Sequence, residues 1–385
     1  MKRRFAALAA AFALAAASNA GAAVPFQFGF LKPGPLDGIT DVPGVRVANL
    51  TKVEGSSIRT GATAVLPNAD PWVHKVSAAS FALNGNGEMT GTHWVNEAGF
   101  LETPIVLTDT LDIGRADDGQ ISWMREHHPE IGKSDTVPLP VTAECDDGLL
   151  NDITARAVGA GDVVRLLDSA KTGQFERGAV GAGTGMIAFG FKGGIGSASR
   201  VIPAAQGGYT VGVLVNDNTS SGSARRSLTI DGVHVGEALQ NSYKIKFPHH
   251  VVLRGRMAEG SIIIVVATNA PLDSRQLRAL SERAALGMAR TGLYSSLGSG
   301  DLIISFSTGY VFQRTPSFDI TSPKTQVLQN EDVMNQLYLA AAEATEGAIY
   351  DALFSAKTTV GRGGVTAYGL PHDDVLKMLH AAGVH

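Results

Sequence analysis

The 385-residue chain contains a single cysteine, Cys145, so it forms no intrachain disulfide and builds no cysteine-based metal site; its stability has to come from packing. Positive charge is not in excess. The 32 Lys and Arg stand against 36 Asp and Glu, a formal net charge of −4, which is not the footprint of a nucleic-acid binder. The Arg225-Arg226 doublet reads as part of a solvated loop. Beyond the first residues no apolar run reaches the roughly 20 needed to cross a bilayer. The pairs His127-His128 and His249-His250 lack a carboxylate at triad or metal spacing and, beside Pro129 and Pro248, read as loop residues. Gly181-Ala-Gly-Thr-Gly185 continues with Met186 rather than a final glycine and has no βαβ context, which argues against a dinucleotide site. No cofactor and no metal is expected.

What is present begins with the three parts of an export signal. Lys2-Arg-Arg4 is the basic end, Phe5 to Ala17 the short apolar core, and Ser18-Asn-Ala20 or Gly21-Ala-Ala23 the small-residue cleavage site. Residues 1–23 are therefore read as removed, leaving a more acidic, membrane-free protein in the periplasm or outside the cell. The remaining length suits one large α/β domain or two ordinary ones. Short apolar runs between glycine-rich turns, Val45-Arg-Val47, Ala62 to Leu66 and Ile105 to Leu107, predict strands. The spacing predicts helices over 152–167, 275–288 and 333–353. The stretches 211–215, 262–267 and 302–306 are continuously apolar, as in sheets covered on both faces, which predicts a layered α/β sandwich. Thr219 to Pro248, rich in Ser, Gly and Arg at its start, reads as a mobile linker.

Gly260-Ser261 places a hydroxyl directly after an unhindered carbonyl and before the stiff run Ile262 to Val266. Attack of that hydroxyl on the Gly260 carbonyl would turn the peptide into an ester. Hydrolysis would then free Ser261 as a new amino terminus whose amine serves its own hydroxyl as base. The same dipeptide also reads as a plain turn. In Leu297-Gly-Ser-Gly-Asp-Leu302, Ser299 and Asp301 are two apart on an extended segment and so face one way, toward the nucleophile or simply into a turn before a strand. Asn218, at the end of Val215-Asn-Asp-Asn218, is a candidate oxyanion donor; Asn216 and Asn218 otherwise read as turn formers.

Taken in order, Asp41-Val-Pro-Gly-Val-Arg-Val47, Gly85-Asn-Gly-Glu-Met-Thr-Gly91, Val180 to Met186, Phe191-Lys-Gly-Gly-Ile-Gly-Ser-Ala-Ser-Arg200, Gly260-Ser261 and Arg290-Thr-Gly292 carry a family resemblance. From about Gly38 to Leu379 the chain resembles the β-peptidyl aminopeptidase and D-aminopeptidase family of self-processing N-terminal serine hydrolases. The resemblance implies a four-layered α/β/β/α sandwich of the Ntn-hydrolase-like type. One catalytic domain would be cut into subunits 24–260 and 261–385, four such pairs forming a tetramer. It implies Ser261 as nucleophile, Asn218 as oxyanion donor, and Ser299 with Asp301 as its supporting pair, where the family's acid is a glutamate. Glu144 matches the glutamate that holds the substrate's free ammonium. Cys145, Asp146 and Leu149 stand where relatives have an aromatic residue, while Asp147 and Asn151 read as helix-start and loop residues. The implied activity is release of amino-terminal residues, β-, D- or L-, from short peptides, amides or esters. Acyl transfer on the same fold and an unprocessed binding protein are the competing readings.

Overall fold

A computed structural model describes residues 24–219, 224–248, 260–313 and 327–385; the export signal, His249-His250 and the segment leading to Gly260 lie outside them. The strands are β1 (Arg46–Glu54), β2 (Ile58–Leu66), β3 (His74–Gly85), β4 (Phe100–Leu101), β5 (Ile105–Thr108), β6 (Val141–Glu144), β7 (Ile187–Ala188), β8 (Phe191–Lys192), β9 (Gly194–Val201), β10 (Thr210–Asn218), β11 (Ser261–Thr268) and β12 (Gly300–Gln313). The helices are α1 (Thr92–Ala98), α2 (Ile113–His127), α3 (Ala160–Asp168), α4 (Val235–Ala238), α5 (Ser274–Arg290), α6 (Glu331–Ser355) and α7 (His372–Ala381). A four-stranded sheet runs β1-β2-β5-β6 and a six-stranded sheet β4-β3-β12-β11-β10-β9.

Alternation along β11 shows how these layers stack. Ile262, Ile264 and Val266 pack with Leu277, Leu280 and Ala284 of α5 and Ala344 and Ala348 of α6. Ile263, Val265 and Ala267 pack with Val65, Ile105 and Leu107 of the other sheet. The outer face of the small sheet is covered by α2 and α3 through Ala64, Val106, Met124, Val163 and Leu167. The order is α/β/β/α, and β11 is apolar throughout because both of its faces are buried. Helix α5 starts where a capping box predicts: Asp273 Oδ1 accepts from the Gln276 N–H at 2.8 Å, and Gln276 Oε1 accepts from the Asp273 N–H at 3.1 Å. Helix α6 lies against β9 closely enough that a side chain on Gly196 would collide with the Ala348 carbonyl.

Three sequence expectations need correction. The helix predicted over 152–167 is a short 3-10 turn at Ile153–Ala155, then α3 from Ala160. The chain breaks at Arg156, in the left-handed region at φ 49°, and the Val158 N–H is drawn to Asp112 at 2.7 Å. Within 219–248, the described part is packed rather than a linker, because its alternating Leu228, Ile230 and Val235 are fully buried in the core over α6. Arg225 is not solvated. Its guanidinium stacks 3.9 Å from the Phe191 ring and donates to backbone oxygens including Phe189 and Tyr243, so the backbone supplies acceptors that the sequence does not display.

Candidate active site

Ser261 is the first residue of β11, with Asn218 of β10 opposite it on one side and Gly300 of β12 on the other. Gly260 before it has φ +94°, and a Cβ there would strike the backbone of Thr219. Only glycine fits this bend without strain, which leaves the Gly260 carbonyl free of any side chain. Asn218 is a strand residue, not a turn former. Its Oδ1 accepts from the Ile187 N–H at 2.9 Å, so the amide's nitrogen is turned the other way, donating to the Asp146 carbonyl at 2.9 Å and lying 3.5 Å from Ser261 Oγ. That separation is long for a bond to the attacking oxygen. It suits a donor to an oxygen developing on the attacked carbon.

Ser299 donates to Asp301 Oδ1 at 2.6 Å, and Ser295 bonds the other carboxylate oxygen. Among the described residues Asp301 bonds these two hydroxyls, and its link to Ser261 runs through Gly300, the paired residue that it and Ser299 flank. Burial raises the Asp301 carboxyl above its usual 3.8, against the lowering effect of Ser295 and Ser299. A cavity of about 20 Å³, room for one water, is lined by Ser299, Asp301, Thr219 and Leu293. Asn84 fixes the loop before Asp301, its Nδ2 donating to the Ser296 carbonyl at 2.7 Å. Asn86 donates to Gly298 at 2.6 Å. Neither was legible as a site residue, since asparagine beside glycine is ordinary turn chemistry.

Glu144 ends β6, an edge strand of the four-stranded sheet. It accepts from the Glu88 N–H at 3.1 Å and from the Thr110 hydroxyl. Gly87 separates it from the start of β12: a Cβ there would lie 3.2 Å from Glu144 Oε1 and 3.5 Å from Gly300 Cα. Burial raises the Glu144 carboxyl above 4.5; Thr110 and the Glu88 N–H oppose this, and the negative charges of Asp146 and Glu88 add to it. Cys145 is buried, its thiol donating to the Asn216 carbonyl at 3.8 Å, and burial first of all pushes the thiol well above 9.0, with the Ser261 side chain opposing the rise. It is therefore a neutral neighbour and not a rival nucleophile. Asp147 and Asn151 start no helix. Both are buried, and Asn151 Nδ2 donates to Asp147 Oδ1 at 2.9 Å.

Two charged residues near the site were not singled out by the sequence reading. Asp217, fully buried, is raised by desolvation to about 7. Lys192, fully buried in β8, is lowered by desolvation to about 7, with Asp147 and Asp217 pulling the other way. Among the described residues, no group of three or more His, Cys, Asp or Glu side chains is placed to hold a metal ion.

Two sheets stacked between helix layers, with a serine opening the central strand, define an aminopeptidase of the Ntn-hydrolase-like fold. Peptidase family S58 matches residues 37–367, and the chain belongs to that family; it is a hydrolase with aminopeptidase activity. It is 35% identical over 390 residues to the β-peptidyl aminopeptidase BapA of Sphingosinicella xenopeptidilytica, covering 97% of this chain and 94% of that one. Among solved structures, a Burkholderia sp. β-aminopeptidase superposes with a TM-score of 0.82 at 39% identity, covering 93% of this chain and 97% of that one. The L-aminopeptidase D-Ala-esterase/amidase of Ochrobactrum anthropi superposes with a TM-score of 0.81 at 35% identity, again over 93% and 97%.

Proposed function

We propose that this chain is an exported, self-processing serine aminopeptidase that releases amino-terminal β-amino acids from short peptides and amides through an acyl-enzyme on Ser261. The observation that carries the reading is the position of Ser261: it opens the central strand after a glycine bent to φ +94°, with a side-chain amide across from its hydroxyl. In processing, Ser261 Oγ attacks the Gly260 carbonyl carbon, the C–N bond breaks, and the Ser261 nitrogen leaves as an amine. Water then hydrolyses the ester, freeing the Gly260 carboxylate. An α-amine titrates at about 7.7 to 8.0, so roughly a tenth of it at pH 7 and about half at pH 8 is neutral and takes the hydroxyl proton in each later turnover.

In turnover Oγ attacks the substrate carbonyl, Asn218 donates to the oxyanion, and the proton passes from the α-amine to the departing amine. Ser299 and Asp301, one residue either side of the Gly300 that pairs with Ser261, stabilise the protonated α-amine between the two transfers. Water resolves the acyl-enzyme. Glu144 holds the substrate's free ammonium, which restricts the enzyme to unblocked amino termini. That two of the relatives are named β-aminopeptidases supports β-residues as the substrate class.

Mass spectrometry of purified protein tests this. Two fragments meeting at Gly260 and Ser261 are expected, with Ser261→Ala remaining whole and inactive; an active wild-type chain with no new start at Ser261 overturns the reading. Amides of β-alanine, D-alanine and L-alanine then rank the substrates. N-terminal sequencing checks export, with a start between residues 21 and 24, and sedimentation checks the tetramer.

A further inference from the structure

The buried ammonium of Lys192 has no part in the chemistry just described, yet it is one peptide bond away from the oxyanion donor. Its Nζ donates to three backbone carbonyls, Gly183 at 2.9 Å, Met186 at 2.7 Å and Gly193 at 2.8 Å. An ammonium has three donors and no acceptor, so all of its hydrogen-bonding capacity is spent on the backbone of the Gly183–Gly193 hairpin. The Met186 carbonyl belongs to the same peptide unit as the Ile187 N–H. That N–H donates to Asn218 Oδ1 at 2.9 Å. The peptide is thus gripped from both ends, by a cation at its oxygen and by the site amide at its nitrogen.

We infer that Lys192 is a positioning residue for the hydrolytic reaction, acting through the Met186–Ile187 peptide to fix the Asn218 amide with its nitrogen toward Ser261. Three consequences of the geometry support this. With Oδ1 held by an N–H, a flipped Asn218 would set two donors against each other, so only one orientation presents Nδ2 to the nucleophile. In its protonated form, which the three carbonyl acceptors favour, Lys192 polarises the peptide unit and strengthens its N–H as a donor, and that polarisation passes into the Asn218 amide. A buried lysine is also costly unless satisfied, and here all three of its donors are taken up by backbone carbonyls, which holds the Met186 carbonyl in place. Aspartates 147 and 217 offset part of that cost by attraction.

The inference rests on the proposed role of Asn218, and the test separates the two. Lys192→Met, Asn218→Ala and the double variant are followed for self-cleavage rate and for turnover per cut chain. Asn218→Ala is expected to lose about 10²- to 10³-fold in kcat. Lys192→Met is expected to lose about tenfold or more in kcat while KM stays within about twofold, the pattern of a lost transition-state interaction. Combined with Asn218→Ala, it is expected to cost less than about twofold further, because residues acting as a unit are not additive. Lys192→Gln, which keeps two donors, is expected to fall between wild type and Lys192→Met.

Full additivity in the double variant, or a rise in KM with kcat unchanged, overturns the role of Lys192 and leaves that of Asn218 standing. An Asn218→Ala enzyme with wild-type kcat, or a wild type without Ser261-dependent turnover, overturns both. If neither Lys192 variant folds, hydrogen exchange in the wild type decides: the Ile187 amide is expected to be as protected as those of β10, and exchange at a loop rate overturns the clamp.

Discussion

At the scale of single residues, the site works by what each side chain is prevented from doing. Gly260→Ala is expected to block self-cleavage while leaving Ser261 in place, because the added Cβ meets Thr219 and the left-handed backbone is strained; gel analysis of the uncut chain over time checks this. Glu144 carries a pH signature. Its carboxyl is raised above 4.5 by burial, so the acid limb of kcat/KM for free-amine substrates is expected at higher pH than an ordinary glutamate would give. In the proposed role of Glu144, the carboxylate takes a proton as pH falls through that raised value and loses its hold on the ammonium. Glu144→Gln is expected to raise KM throughout and to abolish that limb in a pH–rate profile. Ser261, Asn218 and Glu144 were legible as candidates because each combines a reactive group with a family motif. Lys192 was inside such a motif, but a lysine among glycines shows neither its burial nor its three carbonyl partners.

At the scale of elements, local signals succeeded where a single period ran uninterrupted. The β-branched run of β11 and the capped, apolar-striped α5 are where the sequence placed them. Prediction failed around 152–167, where apolar spacing continued across a backbone break, and around 224–248, where small polar residues at the start masked an alternating apolar segment. That second segment is a structural arm of the core. Leu228→Ala is expected to cost about 2–5 kcal/mol of stability, as a fully buried leucine truncated in a packed core does, and denaturant unfolding of the uncut Ser261→Ala chain measures it without interference from processing. A linker residue would show almost no effect.

At the scale of the whole molecule, the buried carboxylates tie stability to pH. Asp109 is 1% exposed and its carboxyl is raised from 3.8 to about 7, by desolvation first and then by the charge of Asp112. A raised pKa in the folded state means that folding retains a proton which the unfolded chain releases, so this group's stabilising contribution, complete below about pH 4, is lost as pH rises toward 7. Asp109→Asn keeps the side chain's shape and acceptor for the Leu111 and Asp112 N–H groups but removes the titration. Melting temperatures of wild type and variant are expected to draw apart in the variant's favour between pH 5 and pH 7.5. Parallel curves would show that Asp109 does not titrate in this window.

The sequence by itself determined the chemistry available: a serine behind an unhindered carbonyl, stiff strands to hold it, a single thiol, and family motifs that mark the amide and acid around it. Local pattern carries that information because bond geometry and side-chain period act over a few residues. Only the tertiary structure decided which groups meet. It brought Asn218 across from Ser261, set Glu144 against Gly87 and the start of β12, and drove Lys192 under the peptide that holds Asn218. Those juxtapositions come from strand register and layer stacking over long separations, and burial of that kind, which shifts Lys192, Asp217 and Glu144 from their ordinary pKa values, leaves no mark in the neighbouring residues of the chain.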